Sequence, residues 1–130
     1  MKTPAGKRFS IRERARSFRF AFRGLLAVFL TQHNFRIHLA ALLLVVILGF
    51  TLKVSLIEWC ILLIASALVL SLEIINTAIE YLVDLLSPEF NTKAGLSKDL
   101  GAAAVLLSAV FAAICGTLIF GRHLIIIIFP

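Results

Sequence analysis

Long apolar runs constrain this chain more than any other feature of its sequence. Between residues 59 and 72 only two side chains are polar, Ser66 and Ser71. A second run, LAALLLVVILGF, fills residues 39–50, and a third continues from about residue 99 to residue 120. A helix needs about 20 apolar residues to cross the hydrocarbon core of a bilayer. The sequence therefore predicts an all-α integral membrane protein with three transmembrane helices, at about residues 35–52, 56–86 and 99–120.

The overall composition agrees with a membrane protein. Of the 130 residues, 61% are hydrophobic, whereas soluble domains contain about 45–50% apolar residues. The length predicts one domain, which we place at residues 11–123. A net charge of +6 is also compatible with nucleic-acid binding, but the basic segment leads directly into the apolar runs. We therefore expect anionic membrane lipids and a phosphorylated ligand as partners, and no nucleic acid.

The segments outside the three predicted spans differ in character. Residues 1–10 are predicted to form a disordered basic tail, and residues 87–98 a polar loop. Residues 124–130 form an apolar tail that is too short to span. In residues 11–31, phenylalanines and leucines recur on one side of a helix and arginines on the other, which is typical of an amphipathic surface helix. The apolar members of that pattern are Phe18, Phe20, Phe22, Leu25, Leu26 and Phe29, and the basic members are Arg12, Arg14, Arg16, Arg19 and Arg23.

The distribution of basic residues predicts the topology. Nine of the thirteen lie at or before Arg36. With a cytoplasmic N-terminus and three spans, Lys93 and Lys98 join them inside, and only Lys53 and Arg122 face outside. Lysine and arginine accumulate on the cytoplasmic side of membrane proteins. We therefore expect a cytoplasmic N-terminus and an external C-terminus.

The end of the second predicted span carries polar residues in a regular spacing. Glu73, Asn76, Glu80 and Asp84 are separated by three, four and four positions. At about 100° per residue they form one stripe along a helix. We call these four residues the polar stripe. Acidic residues on a membrane helix are costly, so the stripe requires either a partner or a function.

Three interpretations of the polar stripe follow from its chemistry. Carboxylates bind Mg²⁺ together with phosphate oxygens, and a further carboxylate can accept a proton from an attacking hydroxyl, with Lys98 pairing with a phosphate. Alternatively, the stripe is structural and pairs helices. The third interpretation is a proton relay in a transporter subunit. Against the relay, the acids lie at the end of the helix and not at its middle.

Standard motifs of nucleotide and metal sites are absent from the sequence. Neither GxxxxGK[ST] nor GxGxxG occurs, so an ATP site would have to be of another type. The histidines His33, His38 and His123 lack a metal-ligand spacing with one another. We interpret His33 and His38 as polar residues at the membrane interface.

Two consecutive segments resemble a known enzyme family. EIINTAIEYLVDLLSPEF at residues 73–90, followed by AGLSKDLGAAAVLLSA at 94–109, closely resembles the signature of prokaryotic diacylglycerol kinases, which include undecaprenol kinases. FAFRG at 20–24 and NFRIH at 34–38 are similar to the N-terminal blocks of that family. The resemblance implies a homotrimer in the bacterial inner membrane whose active sites are shared between subunits. It also implies ATP- and Mg²⁺-dependent phosphorylation of a lipid hydroxyl.

The resemblance also implies roles for individual residues. Glu73 matches the catalytic base, and Glu80 a carboxylate that binds metal. Asn76 and Asp84 match further polar residues of the site. The positions that match nucleotide contacts are Phe20, Gln32, Glu80, Glu89, Phe90, Asn91, Lys98 and Asp99.

The chain departs from the family pattern at three positions. A second metal-binding glutamate of many members is replaced by Gln32, whose amide oxygen is neutral. Phe20 replaces a tyrosine, and Asn91 replaces a histidine. The first replacement leaves open a non-catalytic membrane scaffold that descends from such kinases. Between the two lipid substrates, NFRIH is more similar to the undecaprenol kinases, because diacylglycerol kinases often have an acid where His38 stands.

Overall fold

The computed structural model describes residues 11–89 and 91–129, apart from the side chain of Arg12. The predicted basic tail at 1–10 and the residues Phe90 and Pro130 lie outside the described residues. The described part is all-helical, with no strand. Its four helices are α1 (Ile11–Thr31), α2 (His33–Thr51), α3 (Leu56–Leu86) and α4 (Thr92–Ile128). The bounds of α1 and α3 are those predicted from the sequence, and those of α2 differ by no more than two residues.

A tight turn connects α2 to α3. Lys53 adopts a left-handed conformation with φ 52°, and the backbone N–H of Val54 donates to the carbonyl of Gly49 at 3.1 Å. This pattern closes the carboxyl end of α2 as a Schellman motif. Ser55 then caps α3 in a capping box with Glu58. The turn therefore folds α3 back along α2, and Trp59 packs against Gly49.

The fourth helix is longer than the sequence predicted. We expected a polar loop at 87–98 and a span that ends near Phe120, but α4 begins at Thr92 and continues to Ile128. It begins early because the side chain of Asn91 accepts hydrogen bonds from the N–H groups of Lys93 and Ala94. Gly121 does not end it, since glycine is common inside membrane helices. At 1.5 Å per residue its 37 residues extend over about 55 Å.

Helices α3 and α4 form the most extensive contact and run antiparallel. At one end Lys98 Nζ lies 2.8 Å from Asp84 Oδ1. At the other end His123 Nε2 lies 3.2 Å from Glu58 Oε2, and Arg122 Nη1 lies 3.8 Å from Glu58 Oε1. We call the end with Lys98 and Asp84 the Glu80 end, because Glu80 lies one helical turn before Asp84, and we call the other end the Glu58 end. Each end is therefore joined by oppositely charged partners.

The surface of the chain is suited to lipid. Helices α2, α3 and α4 are each long and apolar enough to cross a membrane. Most of their large apolar side chains are exposed, while Glu73, Asn76, Thr77 and Ser108 are buried. A protein in water would show the reverse distribution. The helices therefore turn apolar faces outward and enclose polar groups.

Candidate active site

Three of the four residues of the polar stripe lie on the face of α3 that turns into the bundle. Glu73 is only 3% exposed and Asn76 only 8%, and Glu80 is half-buried. Asn76 Nδ2 donates a hydrogen bond to Glu80 Oε1 at 2.9 Å. The helical spacing predicted from the sequence therefore brings an amide and two carboxylates together near one end of an apolar bundle.

Glu73 is the most deeply buried acid of the stripe. The hydroxyl of Thr77 donates to the backbone carbonyl of Glu73 at 2.9 Å, so it does not occupy the carboxylate. His38, from α2, lies within electrostatic range of Glu73. Among the described residues we find no hydrogen-bond donor on the Glu73 carboxylate. A buried carboxylate in this state is available to a hydroxyl that approaches from outside the chain.

The fourth residue of the stripe has a different environment. Asp84 is exposed, and its partner is Lys98 of α4. Lys98 was interpreted as a group that pairs with phosphate, and in the structure its ammonium is within hydrogen-bond distance of this carboxylate. The contact holds a cation about one helical turn beyond Glu80.

The other residues predicted to contact the nucleotide lie outside the polar stripe. Glu89, Asn91 and Asp99 are exposed at or beside the connection between α3 and α4, and Asn91 caps α4. Phe20 is 52% exposed and lies under the guanidinium groups of Arg19 and Arg23, each 5.9 Å from its ring. Phe20 precedes Thr31, where α1 contacts α3 beside Glu80, by about 16 Å along α1. Phe90 lies outside the described residues.

Gln32 is the extended residue that separates α1 from α2, and its side chain makes no capping hydrogen bond. Its neighbour Thr31 accepts a hydrogen bond at 3.2 Å from the hydroxyl of Tyr81, the residue after Glu80. The end of α1 is thereby attached to α3 beside Glu80. Nothing in the sequence pattern identifies this contact, because fifty residues separate its partners.

The candidate metal ligands near the polar stripe fit Mg²⁺ bound to a nucleotide better than they fit Mg²⁺ alone. Within the described residues no three histidine, cysteine, aspartate or glutamate side chains form a group that could hold a metal. Mg²⁺ usually takes one or two protein carboxylates and completes its shell with waters and phosphate oxygens. Glu80 would supply one carboxylate, and the amide oxygen of Gln32 is a second candidate. The residues present therefore fit Mg²⁺ that arrives with phosphates.

An apolar cavity of about 530 Å³ lies between α2, α3 and α4. Its lining includes His38 and Val69, and it continues to Phe120 near the Glu58 end. Val69 is one helical turn before Glu73 on α3. The cavity therefore reaches to within about one helical turn of Glu73, which does not line it, and extends along the apolar part of the bundle.

Comparison with known proteins shows the family of this chain. The family model for prokaryotic diacylglycerol kinase matches residues 19–120. An undecaprenol kinase of Bacillus subtilis is 42% identical over 105 residues, which cover 81% of this chain and 85% of the relative. A diacylglycerol kinase of Synechocystis is 41% identical over 77% of this chain and 58% of the relative. The diacylglycerol kinase of Escherichia coli K12 is 34% identical over 80% and 85%, respectively. This chain belongs to the prokaryotic diacylglycerol kinase family.

Proposed function

We propose that this chain is an integral-membrane lipid kinase that transfers the γ-phosphoryl group of ATP to a lipid hydroxyl. The observation that carries the proposal is the buried Glu73 carboxylate, which stands beside the Asn76–Glu80 pair at one end of an apolar bundle. Family membership supports the same activity. A carboxylate at this depth can meet a hydroxyl that remains with the lipid, while the nucleotide approaches from water.

In the proposed reaction the lipid hydroxyl gives its proton to the Glu73 carboxylate. The hydroxyl oxygen attacks the γ-phosphorus, a new P–O bond forms, and the bond to the β-phosphate oxygen breaks to release ADP. Glu80, with Gln32, would hold Mg²⁺. When bound, Mg²⁺ neutralises charge on the phosphate oxygens. Lys98, which Asp84 holds in place, would pair with the nucleotide phosphates. The further proposed nucleotide contacts are Glu89, Phe90, Asn91, Asp99 and Phe20.

We propose undecaprenol as the lipid, with diacylglycerol as the alternative. The NFRIH segment at 34–38 is similar to undecaprenol kinases, and a named undecaprenol kinase is 42% identical to this chain. A named diacylglycerol kinase is 41% identical, so overall identity does not separate the two. The apolar cavity that ends at Val69, one helical turn before Glu73, supports a substrate with a long hydrocarbon chain.

ATP turnover by purified protein tests the proposal. In the presence of Mg²⁺, we expect ATP consumption to rise when a lipid alcohol is added, and to rise further with undecaprenol than with diacylglycerol. A non-catalytic scaffold, which the neutral Gln32 favours, would consume no ATP with either lipid. A higher rate with diacylglycerol would support the kinase activity but overturn undecaprenol as the proposed substrate.

Filling the cavity should affect the lipid and not the nucleotide. Ala109 lines the cavity, and a leucine there would occupy space proposed for the hydrocarbon chain. We expect Ala109→Leu to raise the KM for undecaprenol about tenfold, with the KM for ATP unchanged. Ala103→Leu is the control, because Ala103 is exposed on the same helix and does not line the cavity. Equal effects of the two substitutions would remove the cavity from substrate binding.

The proposed location is the bacterial inner membrane, with the N-terminus in the cytoplasm and the C-terminus outside. The basis is the division of basic residues, eleven inside and two outside. A reporter fused after residue 130 should be active only outside the cell, and one inserted beside Lys93 only in the cytoplasm. If both reporters give the opposite result, the topology is inverted.

The surface helix and the assembly are further parts of the proposal. Arg16, Arg19 and Arg23 are exposed on α1 beside Phe18 and Phe22, which supports a helix that lies on anionic lipid. Phe20 precedes Thr31, the residue of α1 that contacts Tyr81 beside Glu80, by about 16 Å along the helix. We therefore place the nucleotide contact of Phe20 at the site of another subunit. This supports the homotrimer with shared sites that the family resemblance implies, and the mass of the purified protein–detergent complex tests it.

A further inference from the structure

Gly101 of α4 faces the Asn76–Glu80 pair. A Cβ atom added at Gly101 would approach Asn76 Oδ1 more closely than real Cβ atoms approach other atoms, and would lie 3.7 Å from Ile79 Cδ1. By contrast, a Cβ atom added at Gly95, in the first turns of the same helix, has nothing within 4 Å. The absence of a side chain at Gly101 is therefore what allows α4 to lie against this part of α3.

The amide of Asn76 has one possible orientation in this setting. Its Nδ2 donates to Glu80 Oε1 at 2.9 Å, and a carboxylate can only accept. Rotating the amide by 180° would place two acceptors against each other. Asn76 Oδ1 therefore faces Gly101, and among the described residues it is the buried side-chain atom that has no hydrogen-bond partner. An oxygen without a hydrogen-bond partner can form weak Cα–H···O contacts with a glycine.

We propose that Gly101 is a positioning residue for the Asn76–Glu80 pair, and through that pair for the Mg²⁺–nucleotide complex. Asn76 is 8% exposed, and its neighbour Thr77 is 2% exposed, so the amide cannot move aside without disturbing packed atoms. A side chain at Gly101 displaces the amide and breaks its hydrogen bond to Glu80. The carboxylate then loses the partner that fixes its orientation. This inference rests on the proposed function of Glu80.

Two glycine-to-alanine substitutions in one helix test the proposal. For Gly101→Ala we expect the Mg²⁺ concentration at half-maximal activity to rise about tenfold or more, because partners of metal ligands typically contribute 10–100-fold to affinity. Equilibrium binding of the Mg²⁺ complex of a non-hydrolysable ATP analogue should weaken by a similar factor. The KM for the lipid and the elution volume of the detergent-solubilised protein should not change. Gly95→Ala should match the wild type in every measurement.

A double-mutant cycle separates positioning from general packing. On an Asn76→Ala background the side chain that the new methyl group displaces is gone, so Gly101→Ala should weaken analogue binding by less than twofold further. If the two substitutions weaken analogue binding by independent factors that multiply in the double variant, the proposal is overturned. It is also overturned if Gly101→Ala lowers thermal stability but leaves the Mg²⁺ dependence unchanged. If the wild-type protein binds no nucleotide, the proposed function has failed. If the wild type and Gly101→Ala bind it equally well, only the role of Gly101 has failed.

Discussion

Replacing Glu73 with glutamine is expected to lower kcat by about 10²–10⁴, the usual contribution of a general base. Glutamine preserves the size and hydrogen-bonding shape of the side chain but cannot accept the proton of the lipid hydroxyl. Glu73 lies about 10 Å along α3 from Glu80, so binding of ATP and Mg²⁺ should change little. The measurements are kcat, the KM for ATP and the Mg²⁺ dependence of protein isolated as the assembled species.

Glu58→Gln is the matched control for this substitution. Glu58 lies on the same helix but at the opposite end, where Ser55, Arg122 and His123 surround its carboxylate. Its replacement should lower thermal stability and leave kcat per assembled molecule unchanged. A purely structural role for the polar stripe predicts the same behaviour for Glu73→Gln, with weakened assembly and normal turnover. Near-normal kcat in the assembled Glu73→Gln fraction would exclude Glu73 as the base.

Replacing Glu80 with glutamine should raise the Mg²⁺ requirement by about 10–100-fold. The amide oxygen of the new side chain can still accept the hydrogen bond from Asn76, so the local packing is preserved while the negative charge is lost. The measurement is the Mg²⁺ concentration at half-maximal rate with saturating ATP and lipid. Saturating Mg²⁺ should restore part of the activity, because the proposed base, Glu73, is unchanged.

Gln32→Glu is the reciprocal substitution. It adds a carboxylate at the position where the family resemblance implies a glutamate, and it should lower the Mg²⁺ requirement or leave it unchanged. Normal Mg²⁺ dependence in Glu80→Gln would show that the metal is held elsewhere. A raised requirement in Gln32→Glu would show that Gln32 does not approach the metal.

The sequence was sufficient for the helices whose signals are local. The bounds of α3 agree with the span predicted at 56–86, and residues near its ends explain them, because Ser55 and Glu58 cap its start and Pro88 follows its end. The stripe of Glu73, Asn76 and Glu80 follows from helical periodicity alone. Each of these features depends on residues within a few turns of one another.

Features that depend on contacts between helices could not be predicted in this way. The predicted length of α4 was wrong at both ends, and the predicted end at Phe120 lies before His123, which pairs with Glu58 of α3. The contact between Gly101 and Asn76 requires the relative placement of α3 and α4, and the hydrogen bond between Tyr81 and Thr31 requires that of α1 and α3. Spacing along one helix contains no information about these placements.

Transfer of a labelled phosphoryl group tests the central claim most directly. Purified protein is incubated with Mg²⁺, ATP labelled in its γ-phosphate and either undecaprenol or diacylglycerol, and the label in the extracted lipid is measured. We predict label in the lipid phosphate that depends on Mg²⁺, with the larger amount in undecaprenol and almost none with Glu73→Gln. Assembled wild-type protein that transfers no label to either lipid would contradict the assignment of this chain as a lipid kinase.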